Sequence, residues 1–182
     1  MLGWKLMTRS AIGSEESSPN IKTDYDAIVI GAGISGLYQL YKLREIGLNV
    51  RVFEAGTGVG GTWYWNRYPG ARFDSESYSY AYSFSEELLA EWNWSEHFAS
   101  QPEILKYLQH VTTKFDLIKD IQFSSDVKSA IYDDPNRSWE ITLGDGSKYR
   151  SRFLIAGIGL LSQPTMPKIE GIDSFEGPSF HT

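Results

Sequence analysis

Three glycines, Gly31, Gly33 and Gly36, stand between a largely apolar run from Tyr25 to Ile30 and a segment whose apolar residues recur at helical spacing. No other feature narrows the fold as far. An apolar run ending at glycine reads as a strand buried on both faces, as in parallel sheets. Leu37, Leu40, Tyr41 and Leu43 then form one stripe over Ile34 to Gly47, with the last glycine as the helix stop. Asn49 to Glu54 reads as the next strand. The product is a β-α-β unit, and G-x-G-x-x-G in that setting is a dinucleotide fingerprint. Gly31 makes the tight turn, Gly33 admits a pyrophosphate, and Gly36 lets the helix lie close on the sheet. The helix start meets the phosphates with its partial positive charge.

Glu54 completes the fingerprint. It lies 23 residues beyond Gly31, near the ~20 typical of this unit. Its carboxylate is expected to accept hydrogen bonds from ribose hydroxyls, and its charge would repel a 2′-phosphate. The site therefore suits FAD or NAD rather than NADP. Gly60-Gly61 follows closely and provides a second place where backbone can lie against a long ligand. That favours FAD.

The rest of the chain reads as an α/β domain. Ser85–Trp92 and Ser95–Ala99 look like short helices, and a longer one starts at Pro102, with Ile104, Leu105, Leu108, Val111 and Phe115 as its buried face. From Ile121 the period changes: Val127–Tyr132, Trp139–Leu143 and Lys148–Ala156 read as strands, joined by turns at Asp134-Pro135-Asn136 and Gly144-Asp145-Gly146. The expectation is a Rossmann-like parallel sheet with a three-stranded meander inserted before a last apolar strand, Phe153–Ala156. In this insertion the chain resembles flavoproteins that bind two dinucleotides.

Composition removes several other functions. The 182 residues allow one domain, at most one and a fraction. With no cysteine, disulfides, thiolate catalysis and Cys-based metal sites are excluded. His97, His110 and His181 have no spacing that suggests metal ligands. The formal charge of -6 is interspersed, and no basic block points to nucleic acid or an anionic membrane surface. No apolar stretch approaches the ~20 residues that span a bilayer, and residues 1–22 lack the apolar segment of a signal peptide. A soluble cytoplasmic protein is expected, with residues 1–23 as a disordered leader and 24–182 as the folded domain.

The most specific run is Gly60 to Asp74, GGTWYWNRYPGARFD. Its pattern, G-G-x-W-x(4)-Y-P-G-x(3)-D, resembles the flavin-side signature of Baeyer–Villiger monooxygenases at every fixed position. The resemblance implies an enzyme that uses FAD, NADPH and O2 to insert one oxygen atom beside a ketone carbonyl, giving an ester or lactone. It implies that Gly31, Gly33, Ser35, Gly36, Glu54, Gly61, Thr62, Trp63, Asp74, Tyr80 and Val127 lie on the FAD side, and that Arg72, Phe73 and Asp74 border the nicotinamide end of NADPH. Asp74 carries the catalytic role by this resemblance: it supports an arginine from a later part of the chain, and the pair stabilises negative charge at the reacting flavin. From the residues alone, Asp74 also reads as an ordinary helix cap, and Trp63 also reads as core, which does not exclude a place against the flavin.

The resemblance covers residues 24 to 182, the N-terminal portion of a family member. Gly157-Ile158-Gly159 departs from the Ala-Thr-Gly or Ala-Ser-Gly common in relatives, so the end of the last strand is expected to differ beside the adenosine. Phe175, Gly177 and His181 match the start of a second signature, F-x-G-x(3)-H-x(3)-W, and beyond Gly61 no further G-x-G-x-x-G occurs. The NADPH-binding unit and the active-site arginine are therefore expected from C-terminal domains of the same enzyme, and this chain alone is expected to be inactive. Two alternatives stay open: a flavin monooxygenase that oxygenates nitrogen or sulfur, and a non-catalytic flavin-binding fragment.

Overall fold

The computed structural model describes residues 22–162 and 164–180. Most of the leader expected over residues 1–23, together with His181 of the second signature, lies outside the described residues.

The first unit forms as its pattern dictates. Strand β1 (Tyr25–Ile30) leads through the glycine loop into α1 (Ile34–Glu45), and β2 (Val50–Phe53) returns parallel to β1. Helix α1 ends where expected: the N–H of left-handed Gly47 (φ 81°) donates to Arg44 O and that of Leu48 to Leu43 O, a glycine stop that satisfies the last carbonyls. Three short helices follow, α2 (Thr62–Trp65), α3 (Ser77–Tyr80) and α4 (Glu86–Glu91). The Ser85 hydroxyl caps α4 by accepting the N–H of Leu88. Ser95–Ala99 forms no helix. Ser95 N–H and Oγ–H are both taken by the Glu103 carboxylate, and the stretch runs as an irregular loop. The long α5 (Gln101–Lys114) carries Pro102 in its first turn.

One six-stranded sheet runs in the order β3-β2-β1-β6-β5-β4. A two-residue strand, β3 (Ile121–Gln122), lies parallel to β2 at one edge; its brevity hid it in the sequence. Strands β4 (Val127–Asp133), β5 (Ser138–Leu143) and β6 (Lys148–Ala156) form the meander. The expectation of a separate last strand after that meander needs correcting. Lys148–Ala156 is one strand of 9 residues, about 30 Å long. Its first half pairs antiparallel with β5 and its second half parallel with β1, so the meander is continuous with the Rossmann sheet.

Two cores cover the two faces. Ala27, Val29, Val50 and Val52 pack with Leu37 and Leu40 of α1, Ile104, Leu108 and Val111 of α5, and the aromatic loop. Ile28 and Phe53, alternating with them, face the other way and pack with Ile141 and Leu143 of β5. The meander thus covers a face that helices cover in a plain doubly wound sheet.

Candidate functional site

The site gathers at the C-terminal ends of β1, β2 and β6, where an open α/β sheet presents its ligand crevice. Gly36, in the first turn of α1, has no room for a side chain: a Cβ there would stand 1.9 Å from Gly31 O. Gly33 faces the second glycine loop. Gly60 N–H donates to Ala32 O at 3.0 Å, and a Cβ on Gly61 (φ 54°) would lie 2.8 Å from Gly33 Cα. The two glycine loops therefore touch backbone to backbone. Gly33 was expected to make room for a pyrophosphate; here it also makes room for Gly61. Gly157 closes the third side, its N–H donating to Ile30 O at 2.8 Å, and Gly31 lies against its carbonyl.

This packing leaves donors uncommitted. Among the described residues, the backbone N–H groups of Gly33, Ile34, Ser35 and Gly36 find no acceptor, and α1 has no side-chain cap. The N–H groups of Gly61 and Thr62 are likewise unpaired. Consecutive free N–H groups at the start of a helix of 12 residues form an anion cradle with the helix dipole behind it. The residues present thus fit a phosphate-bearing dinucleotide.

Glu54 is 5% exposed, and both of its oxygens are engaged. Oε2 accepts the N–H of Ala32 at 2.6 Å and Oε1 that of Gly56 at 2.7 Å. The carboxylate thus braces the fingerprint loop against the loop after β2, a role its position in the sequence did not reveal. Each oxygen keeps a lone pair free, so ribose hydroxyls still find acceptors there. Val127 begins β4 two residues beyond Ser125, whose N–H donates to Glu54 O at 2.8 Å, which brings Val127 to the same end of the sheet.

The aromatic run folds as one body. Trp63 is buried, with Phe73 and Tyr80 against it at ring-centroid distances of 5.7 and 6.0 Å. Its indole N–H donates to Tyr80 Oη at 2.8 Å. Trp63 belongs to the core, which was one of its two readings. Arg72 is exposed and committed: one guanidinium nitrogen reaches Glu96 Oε2 at 2.8 Å and Phe98 O at 2.9 Å. Asp74 is exposed and makes no hydrogen bond or ion pair with the described residues. It caps no helix either, since the N-cap of α3 is Glu76. Between them Phe73 is buried, so Asp74 is carried on a strap pinned on one side by Arg72 and by Phe73 itself.

Gln101 belongs to this assembly and was passed over as a site residue. The neighbouring core also holds Tyr82 and Tyr107; burial pushes the Tyr107 hydroxyl up to about 12 and raises that of Tyr82 further, so both remain neutral donors or acceptors. Shallow depressions along Met166–Phe180 hold none of the predicted site residues.

Comparison with known proteins agrees with this geometry. Residues 29–90 match the NAD(P)-binding Rossmann-like domain family. Cyclohexanone 1,2-monooxygenase of Acinetobacter is 49% identical over 162 residues, covering 88% of this chain and 30% of the relative. The solved structure of OTEMO in complex with FAD and NADP superimposes with a TM-score of 0.81 at 48% identity, over 88% of this chain and 30% of that one. Over most of its length the chain is similar to the N-terminal part of Baeyer–Villiger monooxygenases. It spans about 30% of the length of these relatives. A relative from Lysobacter antibioticus, 48% identical over 90% of this chain and 30% of its own length, is a phenazine N-monooxygenase.

Proposed function

We propose that this chain is the FAD-binding part of a flavoprotein monooxygenase that uses FAD, NADPH and O2 to convert a small ketone into an ester or lactone. The observation that carries the reading is the double glycine cradle: two backbone loops in contact at Gly33 and Gly61, with unpaired N–H groups on both and a buried carboxylate beside them. In this role Gly31, Gly33, Ser35 and Gly36 hold the pyrophosphate and Glu54 the adenosine ribose. Gly61, Thr62, Trp63, Tyr80 and Val127 line the rest of the FAD path, and Arg72 and Phe73 border the nicotinamide of NADPH. Bound FAD supplies the redox and oxygen chemistry. The protein contributes position and charge. Asp74, exposed and without a partner in the described residues, offers its carboxylate to a cation from the remainder of the polypeptide, which also supplies the NADPH-binding unit and most of the substrate pocket. No helix among the described residues is long and apolar enough to cross a membrane, in keeping with a cytoplasmic enzyme.

One observation favours a second reading. The Lysobacter relative is named for oxygenation at nitrogen, so a heteroatom substrate is the alternative to a ketone.

The test uses the full-length polypeptide. Heat-released cofactor should be FAD, and FMN or NAD alone would sink the assignment. Asp74→Ala should retain FAD, because the glycine loops and Glu54 hold it. Oxygenation should fall by about 10²–10³, the usual cost of one preorganised electrostatic partner, while NADPH consumed per product formed rises. Normal coupling in this variant would remove Asp74 from the chemistry. Assaying cyclic ketones beside aromatic N-heterocycles decides which atom is oxygenated.

A further inference from the structure

We propose that Gln101 is a positioning residue that locks the Gly60–Trp65 loop and the Arg72–Asp74 strap into one register. The proposal deepens the function given above and rests on it for its catalytic consequence. Gln101 is the first residue of α5 and is 7% exposed. Its side-chain amide donates to the carbonyl of Trp63, and its backbone N–H donates to Ala71 O at 2.8 Å. Arg72 pairs with neighbouring Ser100 in an isolated antiparallel bridge. One residue thus grips both loops, by its side chain on one and its main chain on the other.

The alternative is that the helix start simply satisfies itself. It does not. Ser100, the N-cap, makes no side-chain cap bond, and Pro102 has no N–H to offer. The first free donor of α5 goes outward to Ala71 O. The Trp63 carbonyl, for its part, has no acceptor role toward any described residue except Gln101. Trp63 is then held at both ends, by its carbonyl on Gln101 and by its indole N–H on Tyr80. Phe73, seated 4.5 Å from Tyr80 and 5.7 Å from Trp63 between ring centroids, transmits that position to Asp74, the next residue. Loss of the Gln101 amide would free the Trp63 end of this chain of contacts and let Asp74 drift relative to the glycine cradle.

Gln101→Glu tests this, because it keeps the shape but replaces the donor by a carboxylate oxygen facing a carbonyl oxygen. Protonation restores a donor. The full-length protein is labelled with 5-fluorotryptophan, and the Trp63 resonance is assigned from a Trp63→Phe sample. The expected result is a displaced or broadened Trp63 resonance at pH 8 that returns to the wild-type position as the pH falls and the new carboxyl group takes up a proton. In the flavin-loaded enzyme, kcat for oxygenation should fall by about ten- to a hundredfold, the scale for a misplacement of about 1 Å, with KM for NADPH unchanged. Gln101→Asn, whose amide is one carbon too short, should displace the resonance at every pH and decides the matter should Gln101→Glu fail to fold. An unmoved Trp63 resonance in the folded variant overturns the clamp. A moved resonance with unchanged kcat and coupling overturns its positioning role. A polypeptide that takes up no flavin refutes the function proposed above, and the fluorine spectrum still judges the clamp.

Discussion

Glu54→Gln separates the two tasks assigned to one carboxylate. In the wild type, Oε2 and Oε1 accept the N–H groups of Ala32 and Gly56 at 2.6 and 2.7 Å in a site that is 5% exposed. Glutamine keeps one acceptor oxygen and places an NH2 where the other stood, so one of the two N–H groups faces a donor. A hydrogen bond to a charged group contributes about 1.5–3 kcal/mol, and a buried donor left unsatisfied costs about 1–3 kcal/mol. These overlap, and the expected loss is about 2–3 kcal/mol. For a domain of this size each kcal/mol moves Tm by about 2–4 °C, so Tm should fall by about 4–12 °C. The assay is thermal unfolding of cofactor-free protein at pH 7, where no ribose is present to confuse matters. FAD affinity is then measured separately and should also fall. A cofactor-free Tm equal to that of wild type would refute the bracing role and leave Glu54 as a ligand contact alone.

Other consequences are equally direct. Gly36→Ala forces a Cβ to within 1.9 Å of Gly31 O; backbone must move, and the variant should lose about 3 kcal/mol or more, whereas a near-normal melting point would contradict the close packing of α1 on the glycine loop. Tyr80→Phe removes the acceptor of the Trp63 indole N–H and should cost about 1 kcal/mol, read as a changed near-UV circular dichroism band with FAD still bound. On acidification the meander should lose stability. The Asn136 side-chain amide and then Arg150 hold Asp133 below its ordinary value of 3.8, and Lys148 chiefly holds Glu140 below 4.5. Folded values depressed in this way contribute stability that is present above the ordinary range and is lost as pH falls through the depressed values. Relative to their intrinsic exchange rates, amides of β4 and β5 should therefore lose protection below pH ~4, and Arg150→Met, which removes a partner of both carboxylates, should flatten that dependence.

How much could be read without coordinates divides along a physical line. Local patterns were legible because their cause is local. The β-α-β unit follows from apolar periodicity and three glycines, α5 from its stripe and the proline in its first turn, and β4 and β5 from turn residues at both ends. The resemblance too was legible, since G-G-x-W-x(4)-Y-P-G-x(3)-D is a fixed spacing. Ser95–Ala99 misled because its polar groups bond to distant residues: Ser95 donates to the Glu103 carboxylate, and the carbonyls of Glu96 and His97 accept from Ser77. Strand β3 was missed because 2 residues carry no period.

What only the tertiary structure decided are the encounters between distant segments. The length of β6 was visible, yet its pairing with β5 along one half and β1 along the other depends on where both partners lie. Gly33 and Gly61 are 28 positions apart in the chain, and only folding brings their backbones into contact. The exposure of Asp74, the double grip of Gln101 and the bracing by Glu54 are of the same kind. A sequence states which groups are available; the sheet, by bringing the ends of β1, β2 and β6 together, determines which of them meet.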